Sequence, residues 1–86
     1  MADIRWDLNK SEKLKRERGV SFEEIIQAKL LAVKKHPNRI HQSVMLFEYQ
    51  HYIWVVPYVA NGDEIFLKTL FPSRKHTKIW QRGELR

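Results

Sequence analysis

The amino-acid sequence predicts one α+β domain, residues 1–86, in which two N-terminal helices pack on an antiparallel sheet of three to four strands and a short C-terminal helix follows. Three observations favour this fold class. Helix-start signals are concentrated in the first third of the chain, runs rich in aromatic and β-branched residues follow from Ser43, and Asn61-Gly62 separates two of those runs. A chain of 86 residues that is 43% hydrophobic can bury one modest core.

The N-terminal segment predicts a brief strand and a first helix. Ile4-Arg5-Trp6 is short but fits a strand, and Asn9 is then the expected N-cap of a helix that runs to about Arg18. Gly19 readily adopts the left-handed conformation that commonly ends a helix. Leu14 is the one apolar residue in that helix, so the helix needs support from its neighbours.

The second helix has the clearest start in the sequence. Ser21 and Glu24 have the spacing of a capping box, in which each residue satisfies a backbone N–H of the other. The segment AKLLAVKKHPNR that follows fits either a continued helix or a strand. We predict a change to a strand from about Leu30, with a turn at Pro37-Asn38.

The dipeptide Asn61-Gly62 predicts a two-residue hairpin loop, because both residues tolerate the positive φ that a type I′ turn requires. Such a loop places Ala60 opposite Asp63. Pairing back along the two strands then places Val55 opposite Lys68. The sequence therefore predicts a lysine set among apolar neighbours on one face of the sheet.

Two further features complete the predicted second half. Pro57 has no backbone N–H, so the strand that contains it requires an unpaired edge or a bulge at that point. The chain then ends in a short helix from about Thr77, whose apolar side consists of Ile79 and Trp80.

The composition points to a polyanionic partner. The formal net charge is +6 and the isoelectric point is about 9.8, a balance that favours nucleic acid or an acidic protein. The excess is concentrated in two stretches. Residues 68–86 hold six basic side chains and one acidic, and residues 10–18 hold five basic and two acidic.

Several classes of site are excluded by what the chain lacks. Without cysteine there is no disulfide framework, thiolate metal site or cysteine nucleophile, and three glycines cannot build a Gly-rich phosphate loop. The histidines, at 36, 41, 51 and 76, do not have metal-ligand spacing, so we expect neither metal nor cofactor. No apolar run approaches the roughly 18 residues of a membrane span and the N-terminus lacks a signal-peptide pattern, which predicts a cytoplasmic protein.

The cationic cluster that follows the last strand is the candidate site. Its members are Lys68, Arg74, Lys75, His76 and Lys78. Arginine offers a planar fork for phosphate oxygens and lysine a point charge. RNA carries its own nucleophile, the 2′-hydroxyl beside each phosphate, so cations and a proton-transfer group are sufficient for its cleavage without a metal. The alternative is a solvated basic tail that binds nothing in particular.

The two ends of the chain together resemble the BrnT family of bacterial toxins. The opening matches the family in its W-D-x-x-K sequence, then a basic helix, a glycine and a V-S-F-E-E start. The residues concerned are Trp6, Asp7, Lys10, Gly19, Val20, Ser21, Phe22, Glu23 and Glu24. The ending matches at Ser73, Arg74, Lys75, Thr77 and Lys78. The chain departs from many members at Leu14, Arg18 and His76.

This resemblance implies a RelE-like fold and the toxin of a type II toxin–antitoxin pair. Such a protein cleaves RNA and so arrests translation. Its partner would be a ribbon–helix–helix antitoxin, through which the pair contacts DNA. Two other functions stay open: a non-catalytic basic module that binds nucleic acid, and an interaction domain for an acidic protein partner.

Under the toxin hypothesis each candidate residue receives a role. Arg74 would clamp the phosphate, Lys68 and Lys75 would stabilise the pentacoordinate phosphorane, and His76 would act as general acid or base, because imidazole titrates near neutrality. The residues expected to bind flanking RNA are Lys13, Arg16, Arg18, Lys78 and, as a base-stacking side chain, Tyr58.

Overall fold

The computed structural model describes residues 3–35 and 42–83, and these form six strands and three helices. In chain order the elements are β1 (Asp3–Arg5), α1 (Leu8–Arg18), α2 (Phe22–Ile25), β2 (Lys29–Lys35), β3 (Gln42–Tyr49), β4 (Tyr52–Asn61), β5 (Glu64–Leu67), β6 (Phe71–Pro72) and α3 (Arg74–Gln81). The predicted turn at Pro37-Asn38 lies outside the described residues, as do His36 and His41. No helix in the described ranges is long and apolar enough to cross a membrane.

The strands form one sheet in the order β1-β5-β4-β3-β2, and β6 pairs with β4 beyond the end of β5. The pair of β1 and β5 is parallel, and the other pairs are antiparallel. The predicted α+β class is confirmed. The sheet is mixed, whereas the sequence predicted antiparallel pairing throughout. The difference arises from β1, which pairs in parallel with the outer side of β5.

The larger core lies between the sheet and the layer formed by α1 and α2. Leu14, Phe22 and Ile25 are buried on the helical side. The strand residues of this core are Met45, Phe47, Trp54, Val56, Tyr58 and Leu67. Burial of each large apolar side chain contributes roughly 1.5–3 kcal/mol. Leu14 is the buried apolar residue of α1, so it fixes this basic helix to the sheet.

A smaller core on the opposite face holds α3. Successive side chains of a strand point to opposite faces, so Ile53 and Val55 face away from the neighbouring Trp54. Together with Leu46 they form a separate buried cluster, against which Trp80 of α3 packs. The apolar side predicted for the C-terminal helix thus contacts the sheet through Trp80, and the fold has helices on both faces of the sheet.

The first helix begins two residues earlier than the sequence predicted. Asp7, not Asn9, is the N-cap, and its Oδ1 accepts hydrogen bonds from the backbone N–H groups of Asn9 at 2.8 Å and Lys10 at 3.2 Å. A carboxylate at this position satisfies two free N–H groups and lies at the positive end of the helix dipole. Gly19 ends the helix at φ 80°, as predicted.

The second helix begins with the predicted capping box. Ser21 Oγ accepts a hydrogen bond from the backbone N–H of Glu24 at 3.2 Å, and Glu24 Oε1 accepts one from the N–H of Ser21 at 3.0 Å. The helix is a single turn. The chain changes to a strand at Lys29, one residue from the predicted start at Leu30.

The hairpin between β4 and β5 is displaced from its predicted register. Asn61 pairs with Glu64 and Tyr58 with Leu67, so the loop is Gly62-Asp63 and the predicted pairing of Ala60 with Asp63 is wrong. Gly62 has φ 60° and Asp63 does not have a positive φ, the pattern of a turn with glycine at its first central position. The slip leaves the side chains of β5 on their predicted faces, but two residues further along.

The interruption predicted at Pro57 is present as a bulge. Tyr58 pairs with Leu67 and Val55 with Phe71, so three residues of one strand lie opposite two of the other. The backbone N–H of Lys68 donates to the carbonyl of Pro57 at 2.9 Å. The missing N–H of proline therefore falls where the ladder is already broken.

The turn between β3 and β4 stores conformational energy. Gln50 and His51 have φ 52° and 62°, although neither is a glycine or asparagine. We expect His51→Gly to raise the free energy of unfolding by about 0.5–1 kcal/mol, since the relief of a left-handed residue exceeds the extra entropy of glycine in the unfolded chain. His51→Ala, which keeps a Cβ, is the control. Equal urea midpoints for the two variants would contradict this prediction.

Candidate functional site

The cationic cluster lies in the first turn of α3. The helix begins at Arg74, three residues before the predicted start at Thr77, because Ser73 acts as its N-cap. Ser73 Oγ accepts a hydrogen bond from the backbone N–H of His76 at 3.2 Å. Serine is among the preferred N-caps, and Pro72 directly before it is itself excluded from a helix interior. Arg74, Lys75 and His76 are thus held on a helix.

Thr77 fixes this turn to the sheet. Its side chain is only 4% exposed, and its hydroxyl donates to the carbonyl of Ser73 at 2.7 Å while accepting the N–H of Ile53 at 2.9 Å. The N–H of Ser73 donates in turn to the carbonyl of Ile53 at 2.9 Å. Because these bonds are buried or partly buried, the start of α3 has one defined position on β4.

His76 is oriented by the same serine. Its Nδ1 lies 2.7 Å from Ser73 Oγ, and the ring is half-buried. Burial lowers the pKa of His76 below its ordinary value of 6.5, and the positive charges of Lys34 and Lys75 lower that pKa further. The imidazole is therefore neutral at pH 7, with one ring nitrogen held by the protein.

Lys34 is a member of the cluster that the sequence did not predict. It lies on β2 opposite Val44, which packs with the α3 side of the sheet. Lys34 is two residues from the partly buried Ala32, and residues two apart on a strand point to the same face of the sheet. This spacing was the feature of the sequence from which the face of Lys34 could have been predicted. The strand assignment alone could not show that α3 would pack on the same face.

The cluster is a region of uncompensated positive charge. Arg74, Lys75 and Lys78 are exposed. In residues 3–35 and 42–83 the ion pairs are Arg5 with Glu64 and Lys15 with Glu24, so none of these three cations has a carboxylate partner there. Such a surface attracts anions.

Lys68 does not lie where the sequence predicted. It follows the last residue of β5 and is exposed, so the predicted position among Val55 and its apolar neighbours is wrong. The hairpin slip and the bulge opposite Pro57 together pair Val55 with Phe71 instead. The Nζ of Lys68 lies 5.7 Å from the centroid of the Phe66 ring, within cation–π range.

The basic residues of α1 lie on the other side of the sheet from α3. Lys13 and Arg16 are exposed on a helix that packs in the larger core. Arg18 Nη1 donates to the backbone carbonyl of Leu70, which occupies part of its guanidinium. Lys13 and Arg16 are thus on a helix across the sheet from α3, whereas Arg18 contacts a residue of the second basic stretch.

Tyr58 is not available for base stacking. Its side chain is 8% exposed and belongs to the larger core, which contradicts the predicted role. Its position on β4 places it on the face covered by α1 and α2. The large aromatic side chains that do reach the surface are Phe66 and Phe71.

Glu23 and Glu24 of α2 link the two N-terminal helices through bonds to side chains of α1. Lys15 Nζ lies 2.8 Å from Glu24 Oε1, and this bond, with the capping bonds from Ser21, lowers the pKa of Glu24 to about 2. Glu23 accepts hydrogen bonds from Ser11 Oγ and from Trp6 Nε1, and the bond from Ser11 is the chief cause of its lowered pKa. The predicted capping role of Glu24 is confirmed.

The described ranges contain no cluster of three or more histidine, aspartate or glutamate side chains that could hold a metal ion.

Comparison with known proteins identifies a similar fold. No protein-family model and no curated protein matches the chain. The crystal structure of the Brucella abortus ribonuclease toxin BrnT is similar, with a TM-score of 0.56 and 18% sequence identity. The match covers 85% of this chain and 97% of the toxin chain. At that identity the likeness establishes the fold, and the BrnT-like fold implied by the sequence resemblance is confirmed.

Proposed function

We propose that this chain is the toxin of a type II toxin–antitoxin pair and an endoribonuclease that needs no metal ion. The observation that carries the proposal is His76, neutral and held by Ser73, in a helix turn that also presents Arg74 and Lys75 without carboxylate partners. The fold shared with the Brucella ribonuclease toxin supports the same proposal.

The imidazole supplies the proton transfer. In the tautomer whose Nδ1–H donates to Ser73 Oγ, Nε2 of His76 is the basic atom. Nε2 removes the proton of an RNA 2′-hydroxyl, and the 2′-oxygen attacks the adjacent phosphorus. The bond from phosphorus to the 5′-oxygen then breaks, and that oxygen takes a proton from solvent. The products are a 2′,3′-cyclic phosphate and a 5′-hydroxyl end.

The cations stabilise the charge that develops in this step. The phosphorane carries one more negative charge than the phosphodiester, and Arg74 and Lys75 in the first turn of α3 bind its non-bridging oxygens. Lys34 and Lys78 add positive potential around them. Lys68 lies off the helix on the open sheet face, so we assign it to binding of the RNA strand rather than to the phosphorane.

The partners follow from the family resemblance. A ribbon–helix–helix antitoxin would bind the toxin in the cytoplasm, cover its site and attach the pair to operator DNA. The basic surface of α1, with Lys13 and Arg16, lies on the other side of the sheet from α3 and is free to bind flanking RNA or an acidic antitoxin segment.

The proposal is tested with the purified chain and a structured messenger RNA in the presence of EDTA. We expect cleavage products with 5′-hydroxyl and 2′,3′-cyclic phosphate ends, and no cleavage at a mapped site whose 2′-hydroxyl is replaced by hydrogen. Cleavage of the deoxy-substituted RNA would contradict the 2′-oxygen mechanism. RNA binding without cleavage, also when ribosomes are added, would favour the non-catalytic module.

A further inference from the structure

Two aromatic rings are exposed on the part of the sheet that α3 leaves open. Phe66 of β5 is 41% exposed and Phe71 of β6 is 38% exposed. Both are large apolar side chains next to charged residues, at positions where a small domain would gain stability by burying them. Neither ring is needed for the smaller core, which consists of Leu46, Ile53 and Val55.

The strand register places both rings on the same face. Phe66 pairs with Val59 and Phe71 with Val55, and these two partners are four residues apart on the continuous strand β4. Residues separated by an even number share a face, and Val55 belongs to the cluster under α3. The rings therefore lie on the α3 side, roughly 13 Å apart along the strand direction.

Cations follow both rings along the chain, Lys68 after Phe66 and Arg74 after Phe71, while Asp3, paired with Glu64, adds one carboxylate to the same face. Lys68 Nζ lies over the Phe66 ring at 5.7 Å. Glu64 precedes the patch on the same strand, but its carboxylate is neutralised by Arg5, with Nε and Oε1 3.0 Å apart. Phe71 is followed after two residues by Arg74, the first residue of α3. The patch thus leads along the chain into the cationic turn.

We infer that Phe66 and Phe71 form a base-stacking platform for single-stranded RNA, with Lys68 binding a phosphate of the same strand. Exposed aromatic rings interleaved with cations are the combination that binds single-stranded nucleic acid, because every base has a stackable face and every nucleotide carries a charge. The inference rests on the proposed function, and it assigns to these rings the substrate segment next to the scissile phosphate.

The platform is tested by binding of a short single-stranded oligoribonucleotide that carries 2′-O-methyl groups and one 2-aminopurine. The methyl groups prevent cleavage, so binding is measured separately from catalysis. We expect Phe66→Leu and Phe71→Leu each to weaken binding by about 5- to 50-fold and to diminish the fluorescence quenching of the 2-aminopurine. Phe66→Tyr and Phe71→Tyr keep a ring and should bind within about twofold of the wild type.

Leu30→Ala is the matched control. Leu30 is also a large exposed apolar residue, but it lies on β2 opposite Phe47, on the face of the larger core. This variant should bind RNA as the wild type does, with thermal unfolding showing that all variants are folded.

The outcomes separate this inference from the proposed function. Leucine variants that bind as tightly as the wild type would overturn the platform, even if the wild type cleaves RNA, and would point to a protein partner on this face. Ring-dependent binding by a wild type that cleaves nothing would support the platform and overturn the nuclease. A wild type that binds no single-stranded RNA would overturn the platform outright.

Discussion

Replacement of Arg74 by alanine is expected to reduce the rate of RNA cleavage by about 10²–10³-fold without unfolding the protein. Removal of one preorganised group that stabilises developing negative charge has an effect of this size in other enzymes. Arg74 is exposed at the start of α3 and has no carboxylate partner in the described ranges, so its loss should change the free energy of unfolding by no more than about 0.5 kcal/mol.

The measurement is the single-turnover rate on an RNA with one mapped cleavage site, together with urea unfolding of each variant. Arg82→Ala is the matched control, because Arg82 caps the other end of the same helix and its loss changes the net charge equally. Arg74→Lys should recover only part of the rate, since a point charge replaces a planar fork. Equal losses in Arg74→Ala and Arg82→Ala would mean that α3 contributes only general electrostatic attraction.

The parts of the fold that the sequence predicted correctly are those set by neighbouring residues. The capping box of Ser21 and Glu24 and the helix stop at Gly19 depend on hydrogen bonds and backbone conformations within a few residues. The prediction was less accurate where two nearby residues could both serve as the N-cap of a helix. Asn9 was a plausible N-cap, but Asp7 accepts two N–H groups and adds a negative charge at the helix start.

The error in the hairpin shows why the site was harder to predict than the elements. Asn61-Gly62 and Gly62-Asp63 are both acceptable loops, and the choice between them changes no hydrophobic face. It does change which residues lie opposite one another, and together with the bulge it removes Lys68 from the predicted pairing with Val55. The alternation of side chains was therefore predictable, while the position of one functional candidate was not.

The composition of the candidate site depended on contacts between distant segments. The charge of Lys34 lowers the pKa of His76 because α3 and Lys34 lie on the same face of the sheet, and nothing local to either residue encodes that arrangement. The exposure of Phe66 and Phe71 likewise depends on how far the eight-residue helix α3 extends over the face. Tyr58, for which the sequence predicted base stacking, lies in the core instead, while Phe66 and Phe71, to which the sequence analysis gave no role, reach the surface.

Replacement of His76 by alanine is expected to lower the cleavage rate by about 10²–10⁴-fold, the range of a lost general base. In the wild type the base acts in its unprotonated form, so the rate should rise with pH through the pKa of His76. That pKa lies below 6.5, because burial and the charges of Lys34 and Lys75 disfavour the imidazolium. The acidic limb of the profile should therefore lie below the pH at which an unperturbed imidazole titrates.

The pH profile distinguishes a base from a merely structural histidine. His76→Ala should lose the acidic limb of the profile, and added imidazole should restore part of its rate but none of the rate of Arg74→Ala. Lys34→Ala removes one of the positive charges that lower the pKa, so it should move the limb of the otherwise active enzyme to higher pH.

The variants His76→Ala and Lys34→Ala also test each other, because both residues affect the same proton transfer, His76 from α3 and Lys34 from β2. If Lys34→Ala leaves the limb in place while His76→Ala removes it, the base is His76 but the charge of Lys34 does not reach it. If the limb persists in His76→Ala, another group removes the 2′-proton, and the bond between His76 and Ser73 serves to cap α3. Arg74 and Lys75 would then remain as charge-stabilising groups around a base still to be found.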